Sequence, residues 1–248
     1  MQLYKSNNHI MDIHSNSIIG EVVAYDFHTA SVFSKHQIDF CCNGKRSLAE
    51  ACNNVEDVTS QLVEELKESL QKTGGREADF NTWPLDLLID YIEKIHHRYV
   101  RNKIKEITPY LDKVCKVHGS NHPELHQIRA LFFDGAEELT QHLYKEEIIL
   151  FPYIRHMCAG ELAGAHCSFG TVDNPIRMME HEHDVEGNRF RTIRELSHQY
   201  TPPADACTTY KVCFSMLEEF EKDLHKHIHL ENNILFPAAV KMEKEMTL

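Results

Sequence analysis

No stretch of this 248-residue chain approaches the roughly 20 consecutive apolar residues that a bilayer-spanning helix needs, so no membrane span is expected. Positive charge is scarce: 26 Lys and Arg face 38 Asp and Glu, the net charge is −12, and no Lys/Arg run interrupts the acidic balance. Nucleic acid and anionic membrane surfaces are therefore disfavoured as partners. The eight cysteines (41, 42, 52, 115, 158, 167, 207 and 213) form no paired CxxC sets, which argues against a zinc ribbon, and they are too sparse for a secreted disulfide scaffold. The polar first 17 residues lack the charged-then-apolar order of a signal peptide. A cytoplasmic location is the expectation. Alternating, strand-like patterns are few, whereas helical periodicity runs through most of the chain.

Histidine is abundant, at 18 residues, and two of them open a repeated motif. His142-x3-Glu146 precedes Leu150-Phe151-Pro152, and His227-x3-Glu231 precedes Leu235-Phe236-Pro237, at one constant offset of 85 residues. On a helix, residues four apart lie one turn apart on the same face, so each copy aims an imidazole and a carboxylate the same way. An exposed His-Glu pair would contribute only a few tenths of a kcal/mol and leaves the recurring apolar residues unexplained.

The chain divides into a polar extension over 1–17, a small helical unit over 18–71, a linker over 72–82 that carries Gly74-Gly75, and four long helical stretches over 83–248. The stretches run from about Pro84 to Val117, Pro123 to Met157, Asn174 to the residues before Thr201, and Ala206 to Met246. Pro109 should kink or break the first. A loop rich in small residues spans 158–170. The fold expected is all-α, a four-helix bundle behind a small helical domain.

His97 lies 45 residues before His142, and His183 lies 44 before His227, so the bundle has an approximate internal twofold. The inward set is then His97, His142, Glu146, His183, His227 and Glu231. His96 and His97 are adjacent, and periodicity leans only weakly to His97. Two buried glutamates would each cost several kcal/mol if unpaired, about the penalty that divalent ions remove. Six ligands suffice for two ions if both glutamates bridge and each ion takes two histidines. Mixed N/O ligation with open positions suits iron or manganese, and zinc is not excluded. Glu138 and Glu182 are candidate supporting or proton-relay groups. His181, His225 and His229 fall at off-face spacings and read as surface or supporting residues.

These residues resemble a family, the bacterial iron–sulfur cluster repair di-iron proteins of the RIC, ScdA or YtfE type. In the N-terminal unit the resemblance rests on Asp39-Phe40-Cys41-Cys42 with Gly44 and Leu48. In the bundle it rests on both H-x3-E motifs with their Leu-Phe-Pro, on Glu182-His183-Asp184, and on Pro202-Pro203 through Cys207-Thr208-Thr209. It implies a hemerythrin-like bundle with two non-haem iron ions, oxo- and carboxylate-bridged, on His97, His142, Glu146, His183, His227 and Glu231. It also implies a redox or metal-handling role for Cys41 and Cys42. Oxygen-carrying hemerythrins place a second histidine four after the one on the third helix. Gly187 stands there and cannot ligate, which argues against a plain oxygen carrier. The function implied is repair of iron–sulfur clusters damaged by nitrosative or oxidative stress, by iron donation or by nitric oxide chemistry at the di-iron centre. Oxygen or redox sensing, or nitric oxide reduction as such, are the alternatives. Expected partners are damaged iron–sulfur proteins and nitric oxide or dioxygen, and a homodimer is admitted.

Overall fold

A computed structural model describes residues 11–72, 78–161 and 170–247. The glycine pair of the linker and most of the small-residue loop lie outside the described residues. The chain forms two compact units, residues 1–82 and 83–248. Among the described residues there is no strand, only one isolated bridge between Ile18 and Ser47.

The first unit holds α1 (Ile19–Tyr25), α2 (Ala30–Lys35), α3 (Leu48–Ala51) and α4 (Glu56–Lys72). Local chemistry sets the short helices. Asp26 caps the turn before α2 by accepting from the His28 N–H. Ser47 and Glu50 form a reciprocal capping box that starts α3. Asn53 and Asn54, at φ 53° and 58°, take the left-handed geometry that ends it, a conformation asparagine tolerates better than most residues. Ile19, Val22, Phe33, Leu48, Leu62 and Leu66 are fully buried and make the core. Ile13 is buried too, so the apolar core draws on chain that precedes residue 18.

The second unit holds α5 (Leu85–Tyr91), α6 (Arg98–His118), α7 (Glu124–Lys145), α8 (Phe151–Cys158), α9 (Asp173–Leu196), α10 (Thr208–Leu230) and α11 (Phe236–Met246). Three π-helical turns, Ile92–His97, Glu146–Leu150 and Glu231–Leu235, join α5 to α6, α7 to α8 and α10 to α11. The four long stretches are thereby continuous, and α6 and α9 each pack on α7 and α10. Val100, Ile107, Leu111 and Val114 of α6 bury one helical stripe. Phe190 stacks on Phe220 at 5.3 Å and Phe132 meets it edge-on at 5.8 Å, all three buried. Each such ring contributes about 1.5–3 kcal/mol by burial.

Of the kink or break expected at Pro109, the break is absent: α6 runs through it. The carbonyl that loses its donor belongs to Lys105, on the exposed face, where water can satisfy it.

Candidate metal centre

The structure brings the six predicted side chains together in the second unit. His97 comes from the π turn before α6, His142 from α7, His183 from α9 and His227 from α10. Glu146 and Glu231 open the other two π turns. All six are at most 3% exposed. Their ligating atoms form two groups, His97-Glu146-His227-Glu231 and His142-Glu146-His183-Glu231, which share both carboxylates.

The carboxylate oxygens divide between the groups. Glu146 Oε2 lies 3.4 Å from His97 Nε2, while its Oε1 lies 3.3 Å from His142 Nε2. Glu231 Oε1 lies 3.0 Å from His227 Nε2 and 3.8 Å from His97 Nε2, and its Oε2 lies 3.2 Å from His183 Nε2.

Three of the four outer ring nitrogens are held from behind. His97 Nδ1 donates to Glu147 at 2.8 Å, and Arg101 clamps that carboxylate with two bonds of 2.8 Å. His142 Nδ1 donates to Glu182 at 2.9 Å, and Lys145 pairs with the same carboxylate. His183 Nδ1 meets Asn232 Oδ1 at 2.8 Å. His227 Nδ1 has no hydrogen-bond partner; the His96 ring stacks 5.8 Å from its own. Phe151 and Phe236 stack on His97 and His183 at 5.6 and 6.1 Å.

This packing explains the recurring Leu-Phe-Pro. A proline removes a helical donor and crowds the carbonyl four residues back. The widened π turn absorbs that crowding, the helix continues through Pro152 and Pro237, and each phenylalanine lies against an imidazole.

The donor set fits cations. An Nδ1–H that donates to a carboxylate leaves Nε2 either as a lone pair or as a second N–H. Those inward nitrogens crowd each other, at 3.2 Å for His97 and His227 and 3.0 Å for His142 and His183. Neither oxygen of Glu146, nor Oε2 of Glu231, accepts a well-aligned hydrogen bond. Four imidazoles and two carboxylates converging out of water lack only positive charge, and two divalent ions supply it.

In the protein alone, protons take over part of that task. Burial presses the His97 pKa down, yet Glu146, Glu147 and Glu231 hold it well above the ordinary imidazole value. Burial opposes His142 likewise, and Glu146 with Glu182 raises it to about 10. Burial and the Glu231 charge resist ionisation of Glu146, but His142 and His97 hold it at about 2. Burial wins at His227, whose pKa is lowered.

The remaining expected residues fall into three places. Glu182 is in contact with the His142 ring, as above. Glu138 is 56% exposed and bonds Arg189 at 2.8 Å instead of any of the six. Cys41 and Cys42 lie in the first unit with their sulfurs 3.7 Å apart, and Asp39 Oδ1 accepts from both backbone N–H groups at 3.2 and 3.0 Å. Asp39, Cys41 and Cys42 are grouped closely enough to hold an ion. The hydrogen bond with Cys42 and burial push the Cys41 thiol well up, so it is protonated at neutral pH. His181 is exposed and His225 half-buried, whereas His229 is fully buried and takes a 3.0 Å hydrogen bond from Asn233. His96, the alternative on the first helix, is buried but bonds Asp223 at 3.1 Å.

Sequence reasoning missed Glu147 and Asn232. The signal was present: the 85-residue offset continues one position past each glutamate, with a hydrogen-bond acceptor at both.

Residues 88–239 match the profile of the hemerythrin HHE cation binding domain, well over half of the chain. The chain belongs to that family. This hemerythrin-type bundle follows a segment, residues 15–70, that matches ScdA_N, described as a domain of unknown function. The chain is also similar to curated full-length relatives. It is 35% identical over 233 residues, 94% of this chain and all of the relative, to "Iron-sulfur cluster repair protein YtfE" of Yersinia pseudotuberculosis serotype IB (strain PB1/+). The protein of that name from Yersinia pestis (strain Pestoides F) matches at the same identity and coverage. Among the described residues no helix is long and apolar enough to cross a membrane.

Proposed function

We propose that this hemerythrin-type chain holds two iron ions and helps restore iron–sulfur clusters damaged by nitrosative or oxidative stress. The observation that carries the reading is the pair of overlapping His2Glu2 groups, in which each carboxylate turns one oxygen to each group. The full-length similarity to proteins named for iron–sulfur cluster repair supports the cellular role. His97 and His227 would hold one ion, His142 and His183 the other, and Glu146 and Glu231 would span both. Bound iron would supply one-electron redox change and open positions for a small molecule. The chain's own residues would fix the geometry. Glu147, Glu182 and Asn232 orient three imidazoles by their outer nitrogens, and Phe151 and Phe236 keep water off two ring faces.

The test is iron content and spectroscopy after anaerobic loading, followed by incubation with a nitric-oxide-damaged cluster enzyme. About two irons per chain and recovery of that enzyme are expected, with no recovery from Glu231→Leu protein. No more than one tightly held metal would sink the dinuclear reading. Iron passed to the acceptor would mark donation; iron retained through turnover with nitric oxide would mark chemistry at the centre itself.

A further inference from the structure

A row of rings leads outward from His227. The His96 ring lies beside it, 5.8 Å away between centroids and nearly parallel, with 6° between the planes. Tyr91, the last residue of α5, meets His96 edge-on at 5.4 Å, and Trp83, just ahead of α5, meets Tyr91 edge-on at 5.5 Å. All three spacings fall within the roughly 4.5–7 Å of ring pairs that touch. His96 is buried, whereas Tyr91 and Trp83 are half-buried, so the row ends at solvent. The local fold sets it up. In a π turn residues five apart, instead of four, stand over one another, and the turn Ile92–His97 thereby brings His96 against Tyr91. Asp223 of α10 bonds His96 Nδ1 at 3.1 Å and fixes the plane of the ring. The rings against His97 and His183 differ: Phe151 and Phe236 are themselves fully buried. Conjugated rings in contact lower the barrier through which an electron tunnels, relative to aliphatic side chains that fill the same distance.

We propose that Trp83, Tyr91 and His96 form an electron lead, along which single electrons pass from a reductant in solution to the ion held by His97 and His227. The lead rests on the two-iron reading above and adds how the centre is reduced again after it has been oxidised. The reductant loses one electron, one ferric ion becomes ferrous, and no covalent bond or proton on the rings changes. The rings serve as a bridge, so their contact matters and the Tyr91 phenol does not. Trp83 is the only tryptophan of the chain and marks the outer end.

The experiment uses the full chain, loaded with iron and oxidised, and reduced methyl viologen as the one-electron donor, mixed without oxygen. Stopped-flow absorbance follows the loss of the ferric spectrum. Tyr91→Leu and Trp83→Leu interrupt the row at two places, and Tyr91→Phe keeps the ring without the phenol. Both leucine variants are expected to be reduced about tenfold more slowly, with iron content and the starting ferric spectrum unchanged, while Tyr91→Phe stays within about twofold of wild type. Unchanged rates in both leucine variants would overturn the lead. So would Tyr91→Phe protein as slow as Tyr91→Leu, since a ring in contact would then not suffice. Leucine variants that hold less iron would overturn it too, because those residues would then prop the site instead of wiring it. If Tyr91→Leu does not fold, an unaltered rate in Trp83→Leu overturns the proposal alone. The wild-type iron content is read separately: a chain that never binds two irons defeats the two-iron reading, whatever the variants do.

Discussion

The two halves of the bundle supply the same ligand types, yet they support them with unlike chemistry. Behind His97, in the first half, stands the carboxylate of Glu147; behind His183, in the second, stands the neutral amide of Asn232 at the matching place. The other matched pair differs in the reverse sense. Glu182, just before His183, takes the outer nitrogen of His142, whereas His96, just before His97, only stacks on His227. Each group therefore has one imidazole backed by a carboxylate and one that is not. A carboxylate behind an imidazole raises its basicity and its hold on an ion. Twofold symmetry of the inner atoms is thus kept while charge behind them is shared out one per group.

The largest effect should come from breaking what the halves share. Glu146→Leu and Glu231→Leu are each expected to abolish binding of both ions, by elemental analysis, because each carboxylate faces both groups. A variant that kept one tightly bound ion would show that the halves are separable.

Next in size is the unequal support. Glu182→Gln and Glu147→Gln should each weaken one ion about 10–100-fold, in chelator competition, and leave the other near normal. Asn232→Ala should cost less than either. His96→Ala should leave iron content nearly intact, yet lower thermal stability by about 2 kcal/mol or more because it empties a buried position. If His96→Ala lost iron as His97→Ala does, the choice between the neighbouring histidines would reverse.

Acid and base should sharpen the contrast in protein stripped of metal. Glu147 and Glu182 are held at about 2, chiefly by their hydrogen bonds to His97 and His142. Their folded values lie below the unfolded one of about 4.3. Their contribution is then whole above pH ~4.5 and drains as pH falls towards 2. His142 is raised to about 10, despite burial, so its contribution is whole below the unfolded value of ~6.5 and is lost as pH rises through 10. Calorimetry should find the highest melting temperature between about pH 5 and 6.5. Nitrogen NMR should show His142 protonated at pH 8 and His227, without a carboxylate behind it, neutral. Equal titration of the two would remove the asymmetry.

The smallest effect lies far from the centre, at the start of α10. The Cys207 thiol is lowered to about 7 by the backbone N–H groups of Tyr210 and Thr209 and by His118, 3.2 Å away. It should react with iodoacetamide faster than Cys41, Cys115, Cys158 and Cys213, whose thiols are raised, with a rate that rises through pH 7. Mass spectrometry of briefly labelled protein checks this.

Four of the inner six, His142, Glu146, His227 and Glu231, were legible because a helix converts a spacing of four into a shared direction, and the motif occurs twice. The long stretches were legible for the same reason. The choice of His97 over His96 was not. A π turn carries both, and its extra residue breaks the period on which such a choice depends. Pro109 does not end the helix because the carbonyl it orphans lies on the exposed face.

The paired carboxylates have one more consequence. Glu146 and Glu231 are shut away from solvent with no ion between them, and their mutual repulsion is part of the folded state's free energy. An ion that binds only the native chain lowers that free energy by RT ln(1 + [ion]/Kd). The fold should then melt at a higher temperature with such an ion than without it.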